Sequence, residues 1–123
     1  MKIIEAINRI DAVKPNNYTQ NEKIEWLSRL DWAIKREIVD THEGADAVIF
    51  NGYDEITPLE TELIAPAPYD EVYLKWLEAQ IDYANGEFGK YNNSITMYNN
   101  AYTAFESWYN RKNMPLGRQF KCF

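Results

Sequence analysis

The sequence predicts a mainly α-helical domain, a small bundle of about four helices with a long αα-hairpin and an irregular loop or short β-hairpin between helices two and three. Three observations carry that reading. Phe88, Tyr91, Ile95, Tyr98, Tyr102, Phe105 and Tyr109 recur at alternating steps of three and four, which traces one face of a helix. Thr19 and Glu22 form a capping box ahead of Ile24, Leu27, Ile34 and Ile38, the sequence signature of a helix start. Finally, "NGEFG" at 85–89 leaves room only for a tight reversal between two helical stretches, so helices three and four should run antiparallel.

Taken in order, Ile3, Ile7 and Ile10, with Ile4 beside them, give a short first helix that "KPNN" at 14–17 closes, because proline disfavours helical geometry in the residue before it. The second helix is expected from about 20 to 43, widened by Trp26 and Leu30 and closed by Gly44 as a left-handed cap. From 44 to 67 the period is lost. Asn51-Gly52 is the favoured two-residue hairpin turn and suggests two short extended pieces around it. Val48, Ile49, Phe50, Leu59, Leu63 and Ile64 are too many apolar groups for a solvated linker, so this stretch packs on its own helices or on a neighbouring chain. Pro68 suits the first turn of a third helix, with Asp70 and Glu71 favourable to its dipole. That helix carries one stripe of Leu74, Leu77, Ile81 and Ala84 and a second of Tyr73, Trp76 and Tyr83, and Gly86 ends it. The fourth begins near Glu87 and is stopped by Pro115 and Gly117. Its tyrosine seam buries ring bodies but needs partners or water at the hydroxyls, which suits a partly wet boundary.

At 123 residues, 46% hydrophobic and 26% charged, the chain reads as one globular domain spanning 1–123. No apolar run is long enough for a bilayer, and Glu5 and Arg9 interrupt what would be a leader's apolar core, so a cytoplasmically made protein with no membrane partner is expected. A single cysteine, Cys122, and a single histidine, His42, leave no internal disulfide, no zinc set and no nucleophile-histidine constellation. Neither an enzyme nor a cofactor is expected. Asp40, His42, Glu43 and Asp46 are the nearest approach to a metal set, but an imidazole at a helix C-terminus among solvated acids explains them more simply. Trp26, Trp32, Trp76 and Trp108 all lie in helical stretches and suit packing.

Charge is unevenly placed. The net charge is -6, and of the 19 acids nine lie between Asp40 and Glu71 with no Lys or Arg, whereas residues 110–123 hold Arg111, Lys112, Arg118 and Lys121 with no acid. That pattern argues against a nucleic-acid reader, which needs a basic face. Its simplest meaning is solvated loops, and its sharper one is head-to-tail packing of identical subunits.

The strings "KPNNYTQNEKIEWLSRLDWAIKREIVDTHEG", "APAPYDEVYLKWLEAQIDYANGE", "YNNS" and "MPLGRQF" are similar to a family of small phage and prophage proteins of Firmicutes-type bacteria, the head-tail connector or head completion proteins. The resemblance covers nearly the whole chain. It implies a helical adaptor that forms a ring on the portal and bridges it to a tail-side stopper protein. The implied partners are the chain itself, the portal and the stopper, and the implied place is the virion neck, after synthesis in the bacterial cytoplasm. DNA would pass the lumen without specific binding, and acidic walls would help it slide. On that reading a basic arm at 113–123, with Arg111 and Lys112 before it and Arg118, Phe120 and Lys121 within it, contacts portal or neighbour. Phe50, Tyr53, Asp54 and Glu55 of the loop and Tyr98 and Tyr102 of the seam complete the expected interface. The alternative is a helical protein-binding or regulatory module acting as a dimer, whose self-complementary surface halts at two copies.

Overall fold

A computed structural model describes residues 1–116, and their order is α1 (Ile3–Val13), α2 (Gln20–Glu37), α3 (Glu71–Ala84) and α4 (Phe88–Lys112). The fold is the expected small all-α bundle. Among the described residues there is no β-strand, only two isolated antiparallel bridges, Lys2 with Glu62 and His42 with Pro115. The core gathers Ile3, Ile7 and Ile10 of α1, Leu27, Leu30 and Ile34 of α2, Val72, Tyr73, Leu77 and Ile81 of α3 and Phe105 of α4. Burying an isoleucine or leucine this completely contributes about 1.5–3 kcal/mol each.

α1 begins where the central loop supplies what a helix end lacks. Ile3 and Ile4 donate their N–H groups to the carbonyls of Thr61 and Leu59, both at 3.0 Å, and the Glu5 carboxylate accepts from the Lys2 N–H at 2.7 Å. Three of the orphan donors of the first turn are thereby satisfied.

α2 starts at the Thr19 capping box, whose hydroxyl accepts from the Glu22 N–H at 3.1 Å. It ends at Glu37 rather than at 43. The Thr41 hydroxyl and the His42 ring both bond the Ile38 carbonyl, at 2.7 and 2.6 Å, so side chains take the place of the next helical N–H. A 3-10 turn at Val39–Thr41 follows, and Gly44, at φ 85°, sits beyond that turn instead of capping α2.

No hairpin forms at Asn51-Gly52. The favoured hairpin turn needs a positive φ at both residues, and only Gly52, at φ 88°, has one. Instead the backbone bends inward onto α2. A Cβ added at Gly52 would stand 3.1 Å from the Trp32 indole nitrogen, and the Tyr53 N–H donates to the Ser28 hydroxyl at 3.0 Å. The loop therefore packs on its own helices.

α3 begins at Glu71, leaving Pro68 in the preceding turn rather than in the helix. Its buried face is centred on Tyr73, Leu77 and Ile81, with Leu74 half-buried and Ala84 exposed. Gly86, at φ 75°, and the Glu87 N–H on the Asp82 carbonyl at 2.9 Å close the reversal into α4. The rings of Tyr83 and Phe88, Trp76 and Tyr98, and Tyr69 and Phe105 pair in opposite chain order, as an antiparallel hairpin requires. Only Ser94 and Phe105 of α4 are fully buried. The rest of its inward stripe is half-buried except Phe88, which is exposed.

Candidate functional site

The surface that gathers the expected interface residues of the loop is built around one carboxylate. Asp31 is fully buried on α2 and accepts three hydrogen bonds: from the hydroxyls of Tyr53 at 2.5 Å and Tyr73 at 2.6 Å, and from the Ile64 N–H at 3.2 Å. The Tyr73 hydroxyl also accepts from the Ala65 N–H at 2.7 Å. Two loop segments and α3 are thus tied to α2 at a single point. Burial pushes the Asp31 carboxyl up to about 6, against the pull of the two tyrosine hydroxyls and the Ile64 N–H. Burial and the Asp31 charge push both tyrosines upward, so they remain donors. The arrangement is structural, since no face of Asp31 meets solvent.

Outward from this anchor, Phe50 sits edge-on to Trp32 and Tyr53, at 4.8 and 4.9 Å between ring centres. Asp54 is exposed, and its carboxylate accepts from the N–H groups of Ile56 and Thr57, at 3.0 Å each, fixing the turn at the loop's outer corner. Glu55 is exposed beside it, and Ile56 is 84% exposed. Between this corner and the first turns of α2 lies a cleft of about 380 Å³, lined by Asn21, Ile24 and Glu25 from the helix and residues 53–56 from the loop. The lining sets the carboxylates of Glu25, Asp54 and Glu55 beside the aliphatic side chains of Ile24 and Ile56.

The second expected surface starts at the opposite end of α2. Residues 114–116 run beside 41–43: Glu43 donates its N–H to the Met114 carbonyl and Leu116 donates to the Thr41 carbonyl, both at 2.8 Å. His42 is buried beneath this bridge, with Nδ1 donating to the Ile38 carbonyl and Nε2 2.6 Å from the Asn110 side-chain amide. Tyr109 covers its ring edge-on at 4.9 Å. With both nitrogens engaged, the imidazole is not aimed at Asp40, which pairs with Lys35. Among the described residues no three His, Cys, Asp or Glu side chains converge as a metal site. Nor is any helix there long and apolar enough to cross a membrane.

The structure therefore distributes the expected interface residues over three places. Phe50, Tyr53, Asp54 and Glu55 share the loop corner, with Tyr53 committed to Asp31 through its hydroxyl. Tyr98 packs on Trp76 at 5.0 Å and Tyr102 donates to Glu37 at 2.7 Å, both half-buried against the bundle. Arg111 and Lys112 are exposed on the last turn of α4, Lys112 over the Trp108 ring at 5.2 Å. Arg118, Phe120 and Lys121 lie outside the described residues.

Sequence spacing missed the two buried aspartates, although its own pattern held the clue. Asp31 occupies the position that continues Ile24, Leu27, Ile34 and Ile38 at steps of three and four, so an acid stands in an apolar stripe. Likewise Lys14 continues Ile3, Ile7 and Ile10, and its ammonium meets Asp82, 1% exposed, at 2.7 Å, while Ser94 donates to the other carboxylate oxygen. Comparison of the chain with family models, with curated proteins and with solved structures finds no match.

Proposed function

We propose that the chain is a structural virion protein, a head-tail connector or adaptor that assembles as a ring on the portal and bridges the phage head to the tail. It acts by binding, without catalysis or cofactor. The observation that carries this reading is the fixed root of the basic segment. Pairing of 114–116 with 41–43, locked by the buried His42, gives whatever follows Leu116 a rigid point of departure, as an arm docking onto another protein needs. The loop corner at Asp54 and Glu55 and the exposed amides Asn92, Asn93, Asn99 and Asn100 along α4 are the surfaces left for lateral contacts. Acidic residues turned toward a lumen would repel phosphates and let DNA slide.

The test is to mix the purified chain with portal from the same phage and image the product by electron microscopy. A ring of added density beneath the portal is expected, and charge reversal by Arg118→Glu with Lys121→Glu should remove it. No added density, together with a discrete dimer by light scattering, would replace this reading with the dimeric binding or regulatory module. A ring that survives the charge reversal would remove the arm from the mechanism.

A further inference from the structure

The acidic cleft at the loop corner and the basic segment after Leu116 are complementary, and the geometry decides whether they can meet within one molecule. The cleft offers the carboxylates of Glu25, Asp54 and Glu55 around Ile24 and the exposed Ile56. Glu25 contacts Arg29 at 3.3 Å in an exposed pair, which a competing cation can displace at small cost. The segment supplies Arg118 and Lys121 around Phe120, with no acid from Asn110 onward.

Distance rules out the intramolecular pairing. Leu116 is held to the Thr41 carbonyl, beyond the C-terminal end of α2, while the cleft lies at residues 21–25 near its start. From Glu25 to Glu37 the helix alone rises about 18 Å, and the 3-10 turn to Thr41 adds several more. A fully extended chain advances about 3.3 Å per residue, so Arg118 lies within about 7 Å of Leu116 and Phe120 within about 13 Å. Neither can reach its own cleft.

We propose that the segment around Arg118, Phe120 and Lys121 docks in the Glu25–Asp54–Glu55 cleft of a second copy of this chain. Each copy then offers an arm at one end of α2 and a socket at the other, a head-to-tail contact that continues from copy to copy until the rotation closes. Phe120 packs against Ile24 and Ile56, and the two cations meet the carboxylates of Glu25, Asp54 and Glu55. The inference rests on the connector reading only for the ring; the docking itself needs no portal.

The test titrates isotope-labelled full chain with a synthetic peptide of residues 117–123, "GRQFKCF", under reducing conditions, and follows backbone amide shifts. Shifts confined to residues 21–25 and 53–56 are expected, weakened about fivefold in the Glu25→Gln, Glu55→Gln variant. These substitutions spare Asp54, whose carboxylate holds its own turn, and the variant's own spectrum reports its folding. Shifts clustered instead at Asp40, Glu43 and Asp46, beside the arm's own root, would overturn the proposal, as would their absence at millimolar peptide or their indifference to the neutralised cleft. Peptide docking without a portal ring would leave this contact standing and remove the connector role; a ring without peptide docking would do the reverse.

Discussion

Asp31 and Asp82 are both shut off from solvent, yet they hold their halves of the molecule by opposite chemistry. Asp82 joins α1, α3 and α4 through a full positive charge, the Lys14 ammonium, supported by Ser94. Asp31 joins α2, α3 and the central loop with no cation bonded to it, through two phenols and one amide. The regular, helical half is fastened by an ion pair, and the irregular half by neutral donors around a charge. Neutral donors suit a loop because each fixes a backbone or ring at one direction. Their cost is that the charge loses water without gaining a directly bonded counter-ion.

That contrast makes the Asp31 cluster the costlier one to disrupt. Asp31→Leu leaves two phenol hydroxyls and the Ile64 N–H without their acceptor, and buried donors left bare cost about 1–3 kcal/mol apiece. A loss of about 3–5 kcal/mol in urea unfolding is expected. Should that variant not fold, Tyr53→Phe removes one donor alone and should cost about 1–2 kcal/mol. A change near zero for both would mean the loop is held by its apolar contacts, and the comparison would fail.

Next in size is a pH dependence belonging to Asp31 and opposite in sign to ordinary acid unfolding. Its carboxyl is pushed from 3.8 up to about 6 on folding, so between those values the folded chain keeps a proton that the unfolded chain has released. The stability this group contributes is complete below the unfolded value and is lost as pH rises through the folded one, a span on the order of 3 kcal/mol. Glu5 and Glu87, held low by the Lys2 N–H and by Lys90, run the other way and lose their contribution on acidification. Asp31→Asn does not titrate, so the difference between variant and wild type isolates the effect. The variant's relative stability should rise from about pH 4 to pH 7. A flat difference would show that Asp31 keeps an ordinary carboxyl, shielded by its three donors.

How much of this was readable in advance follows from what each element depends on. All four helices follow from side-chain spacing, because burial of one face is what makes them. The end of α2 did not, since it turns on Thr41 and His42 bonding the Ile38 carbonyl, a competition between side chain and backbone that periodicity does not register. Asn51-Gly52 departs from its hairpin preference for a related reason: the local turn tendency is outweighed by Ser28 and Trp32 on α2. The expected interface residues of the loop did come together, yet Tyr53 proved to be fastened inward, and its acceptor stood in plain view as the acid interrupting the stripe of α2.

The smallest effect tests the other aspartate. Lys14→Met keeps the aliphatic stem and removes the charge, leaving Asp82 with only the Ser94 hydroxyl among its side-chain donors. Breaking a wholly buried pair costs about 3–5 kcal/mol, but the Lys14 side chain is 24% exposed, so water can follow the path the ammonium vacates and the expected loss is about 2 kcal/mol. Ser94→Ala removes the other side-chain donor to the same carboxylate, so its loss and that of Lys14→Met should not simply add. If Lys14→Met cost as much as Asp31→Leu, water would have no entry at the α1–α3 junction. The two aspartates would then differ in partner but not in isolation, and the distinction between a charge-fastened and a donor-fastened half would reduce to chemistry without energetic consequence.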